Sequence, residues 1–301
     1  MTDDFEGVFP ILATPFDEGG NIDLESLERT VRFMEDIEVD GLTVLGVAGE
    51  VNRMVDGERE RVIRTVIEVA AGRIPIIVGT SYSGTAPTRA LSQMAESLGA
   101  DGVMVAPSRE PVPNEGRIFE FFQQVAEGIS ISIVVQDHPA STQVHMSVPL
   151  MLKLIKEIPQ VACIKEEDVP TAPKISALLA GMSERKIPIL TGLGALYGYF
   201  DLSRGSKGFM TGFGFPEVMQ AIAHAARQER FDKVREVYHR FLPLIVYEQQ
   251  PGVAIRKEVL RLRGLIAHNK VRHPGASIDE ATSLQLRGLL NDVFGDVDIT
   301  K

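Results

Sequence analysis

Val161-Ala162-Cys163-Ile164-Lys165-Glu166-Glu167-Asp168 is a short apolar run that ends in a lysine with three acids behind it. Strand side chains alternate between faces. Val161, Cys163 and Lys165 are therefore expected on one face, and Ala162 and Ile164 on the other. Both faces are apolar up to Lys165, as in a parallel strand covered on both sides. A lysine at the mouth of such a strand can lose its water, which disfavours the ammonium form. A neutral amine can attack a carbonyl carbon and form a Schiff base. The plainer alternative is a strand-end lysine that only snorkels to solvent.

The same strand, turn and helix pattern recurs along the chain. Strands are expected at residues 8–14, 41–47, 74–80, 102–106, 131–136, 161–165, 187–191 and 208–211. Helices are expected at 22–38, 56–71, 85–98, 114–128, 148–157, 171–180, 195–202 and 216–227, the first with Asp23 as N-cap. Eight such units in roughly 225 residues predict an α/β fold, a (β/α)8 TIM barrel in preference to an open doubly wound sheet. No G-x-G-x-x-G fingerprint follows the first strand. After residue 228 the strand pattern stops, and 231–247, 253–265 and 277–294 read as helices. The expected organisation is a barrel over 1–228 and a C-terminal helical appendage over 229–301, packed on it.

The 301 residues are 44% hydrophobic and 24% charged, an ordinary globular composition. Lysine and arginine number 31 against 41 acids, a net charge of −10. That balance speaks against nucleic acid or an anionic membrane as partner. The single cysteine, Cys163, rules out an internal disulfide framework and fits a reducing compartment. Set in an apolar strand, it reads as core. Met1-Thr2-Asp3-Asp4 is acidic and no signal region follows it. No run is long enough for a membrane span. A cytoplasmic protein is expected. Six scattered histidines show no metal-ligand spacing, so neither a metal nor any other cofactor is expected.

In a TIM barrel the active site lies at the C-terminal strand ends. Lys165 is the only lysine among those ends, and the surrounding strands make its burial plausible. Gly46-Val47-Ala48-Gly49-Glu50 forms a small-residue turn after strand two, whose N–H groups could hold a carboxylate. Glu50 is expected to tie that turn down by accepting backbone N–H bonds. Thr80 and Gly192, ending strands three and seven, join Val47 and Ala48 as candidates for substrate binding. Gly192-Leu193-Gly194 and Gly212-Phe213-Gly214 follow strands seven and eight, where some barrels bind phosphate.

These pieces together resemble the dihydrodipicolinate synthase / N-acetylneuraminate lyase family of Schiff-base aldolases. Residues 8–16 resemble its opening strand, with Thr14-Pro15-Phe16. Residues 46–50 resemble its Gly-Thr-Thr-Gly-Glu turn, followed by Glu58-Arg59. Ile164-Lys165-Glu166 resembles its Schiff-base strand. Lys257-Glu258-Val259-Leu260 and Val271-Arg272-His273-Pro274 resemble its C-terminal region. The resemblance implies a barrel, a small-molecule 2-oxo acid bound covalently at Lys165, and a homotetramer built as a dimer of dimers.

The departures from the family pattern bear on function. Val47 and Ala48 replace two hydroxyl residues. Gln136 stands where the catalytic tyrosine falls, and Ser141 where the carboxylate-binding arginine of the synthases falls. Arg109 stands near the aromatic residue that a neighbouring subunit receives. A glutamine amide cannot act as a general acid or base, so the usual synthase and sialic acid routes are disfavoured. His138, two residues after Gln136 and of suitable intrinsic pKa, is the candidate proton carrier. A loop-fixing role through Asp137 is its alternative. Arg109 could bind the distal part of a longer substrate. The expected function is a lyase, a 2-keto-3-deoxy sugar acid dehydratase or aldolase. Its alternatives are a synthase-like condensing enzyme, a non-catalytic oxo-acid-binding barrel and a phosphate-binding barrel enzyme.

Overall fold

Eight parallel strands make one sheet in the order β1-β8-β7-β6-β5-β4-β3-β2. They are β1 (Gly7–Val8), β2 (Leu42–Val44), β3 (Ile76–Gly79), β4 (Gly102–Val105), β5 (Ser132–Asp137), β6 (Val161–Glu166), β7 (Ile189–Thr191) and β8 (Gly208–Phe209). Beyond β1 the chain stays bonded to its neighbours, with Ile11 N–H donating to the Thr211 carbonyl at 3.0 Å. Leu12 N–H donates to the Thr43 carbonyl and Thr43 N–H to the Pro10 carbonyl, each at 2.9 Å. These bonds join the first strand to the second and close the sheet into the barrel expected from the repeat. This computed structural model describes residues 5–110, 114–250, 252–295 and 297–299. The acidic tetrapeptide at the start lies outside them.

The helices are α1 (Leu24–Asp36), α2 (Asp56–Ala70), α3 (Thr85–Leu98), α4 (Glu115–Ala126), α5 (Pro139–Thr142), α6 (Val148–Glu157), α7 (Thr171–Gly181), α8 (Gly198–Ser203), α9 (Pro216–Arg227), α10 (Phe231–Gln249), α11 (Val253–Leu262) and α12 (Glu280–Phe294). Asp23 caps α1 as expected, accepting from Ser26 N–H at 3.0 Å. The four-residue α5 was not foreseen. The helix after β7 starts later than expected, because Leu193, Gly194 and Ala195 take left-handed φ values of 50°, 62° and 65°. L residues adopt these only in tight turns.

The barrel interior is small and apolar: Phe5, Phe9, Ile77, Met104, Val134, Cys163, Leu190 and Met210. Burial pushes the Cys163 thiol far up, so it is an inert core group. The alternation expected along β6 fails at its start. A register shift between Ile133 and Val134 places Val161 opposite Ile133 and Cys163 opposite Val134. Val161 therefore packs outward with Ile164, and Ala162 joins Cys163 inside. One inserted residue has this effect on strand parity. From Cys163 onward alternation holds, and Lys165 lines the mouth of the barrel.

Helices α10 to α12 share a core with the barrel end of the chain. Tyr238, Leu244, Ile255, Val259 and Leu286 pack with Phe209, Phe213 and Phe215 in one buried cluster. Truncating one such side chain to alanine costs about 2–5 kcal/mol. That packing fixes how α11 approaches the strand ends.

Candidate active site

A cavity of about 370 Å³ opens at the C-terminal ends of the strands. Lys165 lines it while being only 2% exposed. Its Nζ lies 3.0 Å from Glu167 Oε2. The same Oε2 accepts from Gln136 Nε2 at 2.7 Å, and Glu167 Oε1 accepts from Leu193 N–H at 3.0 Å. Burial pushes the Glu167 carboxyl up, but the positive Lys165, His138 and these two donors outweigh it. The group titrates below the usual carboxylate range. Gln136 and Lys165 are register partners on β5 and β6, which sets two members of this triad on rigid strands and Glu167 just beyond the end of β6.

Glu167 escaped the sequence reading, although its signal was there. It lies two residues after Lys165 and so shares its face. The three acids behind Lys165, Glu166-Glu167-Asp168, part from one another. Glu166 and Asp137, also register partners, turn the other way, towards Lys174. Asp168 pairs with Lys174 at 2.8 Å and with His145 at 3.1 Å. Burial, with Asp137 beside it, raises Glu166 to about 9, and burial raises Asp137 to about 6 despite its pairing with Lys174.

His138 also lines the cavity. Its Nδ1 lies 2.7 Å from Ser141 Oγ, so Ser141 orients the ring and Asp137 does not. Burial lowers the His138 pKa, Glu167 opposes that and Lys165 adds to it. The ring is held towards its neutral form.

Val47 and Ala48 both face the cavity, Val47 with 57% of its surface exposed. They begin a short 3₁₀ turn, residues 47–49. Gly49 and Glu50 N–H groups are spent on the carbonyls of Gly46 and Val47. The N–H groups of Val47 and Ala48 head the turn and have no acceptor within it. Leu45 and Glu50, at φ 57° and 59°, flank the turn in left-handed conformations. Each costs on the order of 1–3 kcal/mol and persists only when surroundings hold it. Glu50 is held by Lys257, by Arg53 at 2.6 Å and by Arg272 N–H at 3.0 Å. The backbone bond it accepts thus comes from Arg272 in the C-terminal region, and not from its own turn as expected.

Three expected residues behave differently. Thr80 is fully buried, but its hydroxyl lies 2.9 Å from Ser92 Oγ on α3, outside the cavity. Gly79 turns inward on β3, so Thr80 must turn outward. Arg109 is exposed and lines a neighbouring cavity of about 560 Å³ with Tyr82 and Ser81. Gly192 supports the site without lining it, because a Cβ there would lie 2.2 Å from Glu167 Oε1.

The glycine turns after β7 and β8 are filled by side chains. Glu167 occupies Gly192, Gln249 Nε2 would meet a Cβ on Gly194 at 2.0 Å, and Arg256 Nη1 one on Gly212 at 2.4 Å. Glu248 accepts from Gly214 N–H at 3.0 Å. Protein carboxylates thus accept backbone N–H bonds at both turns where a phosphate was considered. Arg256 and Gln249, from α11 and α10, line the Lys165 cavity and were not anticipated. Among the described residues, no helix is long and apolar enough to cross a membrane. No group of three or more His, Cys, Asp or Glu among them is arranged to hold a metal.

A family model described as the dihydrodipicolinate synthetase family matches residues 4–293. The chain is 38% identical over 285 residues to L-2-keto-3-deoxyarabonate dehydratase of Azospirillum brasilense, covering 93% of this chain and 92% of that one. It is 27% identical to 4-hydroxy-tetrahydrodipicolinate synthase of Methanococcus vannielii, covering 95% and 98%. The crystal structure of dihydrodipicolinate synthase from Rhodopseudomonas palustris superposes with a TM-score of 0.92 at 32% identity, covering 97% and 99%.

Proposed function

The chain belongs to the dihydrodipicolinate synthetase family, and from that premise we propose that it is a class I aldolase-type lyase, a 2-keto-3-deoxy sugar acid dehydratase or aldolase acting through Lys165. One observation carries this reading. The Lys165 amine is buried at a strand end yet open to a cavity, with the Glu167 carboxylate 3.0 Å away. The relative named a 2-keto-3-deoxyarabonate dehydratase supports the substrate class.

In this mechanism Glu167, held ionised, takes a proton from Nζ. The free amine then adds to C2 of the 2-oxo acid. Loss of water gives the imine, an electron sink that makes the C3 proton acidic. Neutral His138, oriented by Ser141, takes that proton, and the C3–H electron pair moves into an enamine. Collapse of the enamine breaks the C4–O bond, and the hydroxyl leaves as water with the proton from His138. In the aldolase variant C3 keeps its proton: neutral His138 takes the C4 hydroxyl proton of the imine, the C3–C4 bond breaks to release an aldehyde and leave the enamine, and His138 returns the proton to C3. Hydrolysis of the imine frees Lys165. Val47 and Ala48 N–H groups hold the substrate carboxylate, and Gln136 fixes Glu167. No cofactor takes part. Condensation of the synthase kind would need a proton carrier where Gln136 stands, and its amide supplies none.

The protein acts as a cytoplasmic homotetramer in this reading; the single reduced cysteine fits that compartment, and sedimentation velocity checks the assembly. Borohydride trapping tests the chemistry. The protein is incubated with pyruvate, then with 2-keto-3-deoxy sugar acids, reduced and weighed intact. A mass gain of one substrate per chain is expected. No gain with any 2-oxo acid removes the mechanism and leaves an oxo-acid-binding barrel.

A further inference from the structure

We propose that Arg256 is a specificity residue that reads the hydroxyl-bearing far end of the substrate. This rests on the Lys165 reading above and names which group selects the sugar acid.

Arg256 is 8% exposed and lines the Lys165 cavity. Its seat is built. Gly212 leaves room for the guanidinium, since a Cβ there would lie 2.4 Å from Nη1. Glu248, 1% exposed, sits behind it with Oε2 at 3.4 Å from Arg256 Nε, and Glu248 is itself anchored by Gly214 N–H at 3.0 Å. Nε faces this carboxyl without a hydrogen bond to it, and the forked end is left for the cavity. A buried guanidinium presents planar donors and no acceptor, so its complement is an oxygen-rich ligand.

Two observations favour hydroxyls over the C1 carboxylate. The N–H groups of Val47 and Ala48, which have no acceptor within their turn, already offer a carboxylate seat in the same cavity. Glu248 stands against the guanidinium, 3.4 Å from Nε, so a protein carboxyl already holds that side of Arg256 and its Nη donors are left for neutral oxygens. The other cavity arginine, Arg53, is committed to Glu50 at 2.6 Å. Amides of Gln249 and Asn52 add polar groups that suit a hydroxylated chain.

The test compares borohydride trapping of a 2-keto-3-deoxy pentonate with that of pyruvate, which shares C1 and C2 and lacks the far hydroxyls. Wild type, Arg256→Met and Arg256→Lys are run side by side. Removing a charged donor from a hydroxyl costs about 10- to 100-fold. The preference for the pentonate over pyruvate is expected to fall by that factor in Arg256→Met. Arg256→Lys, which keeps the charge and loses the fork, is expected to recover part of it. An unchanged preference overturns the proposal. So does a parallel loss with both acids, in either variant, because that assigns Arg256 to the shared carboxylate end or to folding. If wild type traps neither acid, the Lys165 reading falls on that arm alone and takes this proposal with it.

Discussion

Two lysines in this protein are buried beside glutamates, and each stands in a Lys-Glu dipeptide. Lys165 pairs with Glu167 and Lys257 with Glu50, so in neither case is the partner the adjacent acid. Glu166 turns to the outside of the barrel, and Glu258 binds Arg261 at 2.8 Å. The difference lies in what else surrounds the amine. Lys257 donates to the Lys270 carbonyl at 2.7 Å and lies 4.3 Å from the centre of the Phe16 ring. Burial pushes it down to about 8, against the pull of Glu50 and with Arg53 and Arg272 adding to the fall. It is fully enclosed. Lys165 is nearly as buried but faces a cavity. Burial beside a carboxylate is therefore shared by a candidate nucleophile and a brace. Access to a substrate carbonyl separates them.

The widest gap between the two sites is expected from removing the amines. Lys165→Ala should lower turnover by on the order of 10⁴-fold or more and leave no trapped mass. Lys257→Met should still trap substrate while folded. If it also loses trapping in folded protein, the contrast fails. Glu167→Gln comes next. It keeps the shape and removes the acceptor of the Lys165 proton, so kcat should fall roughly 10³-fold, as single-turnover imine formation would register. The matching change at the brace is smaller and appears in stability. Lys257→Met leaves Glu50 buried without its closest cation and should lower unfolding free energy by about 3 kcal/mol in a denaturant titration.

The smallest effect is a pH slope. The folded pKa of Lys257, about 8, lies below its ordinary 10.5. Between those values the unfolded chain binds more protons, so stability should rise with pH there, by at most about 1.4 kcal/mol per unit. Below about 8 both states are protonated and this contribution does not vary. Melting curves over that window should show the rise in wild type and lose it in Lys257→Met.

Much of this was legible in the sequence for a local reason. Strand and helix periods are written in neighbouring residues, so the eight units, and Lys165 at a strand end, could be read directly. Parity was harder. The inserted residue at Ala162 and the outward turn of Thr80 depend on pairing with other strands, which alternation within one strand does not reveal. Glu167 was within reach by counting two from Lys165. Arg256, Gln249 and Glu248 were not, because helices far along the chain deliver them through tertiary packing. Their only trace was the glycines at 194, 212 and 214, which read equally as phosphate turns. Arg109 was placed in the site by resemblance, and its exposed position beside a neighbouring cavity separates it from Lys165.

The bracing of Glu50 by Lys257 and Arg272 sets an order of events during synthesis. A ribosome that has released residues 1–230 has delivered all eight strands, Lys165 and Glu167. That nascent chain still lacks the cation and the N–H group that steady the Val47–Ala48 turn from the C-terminal side, and it lacks the Arg256 wall. The pocket is therefore complete only when residues 231–272, with α10, α11 and Arg272, have joined the barrel.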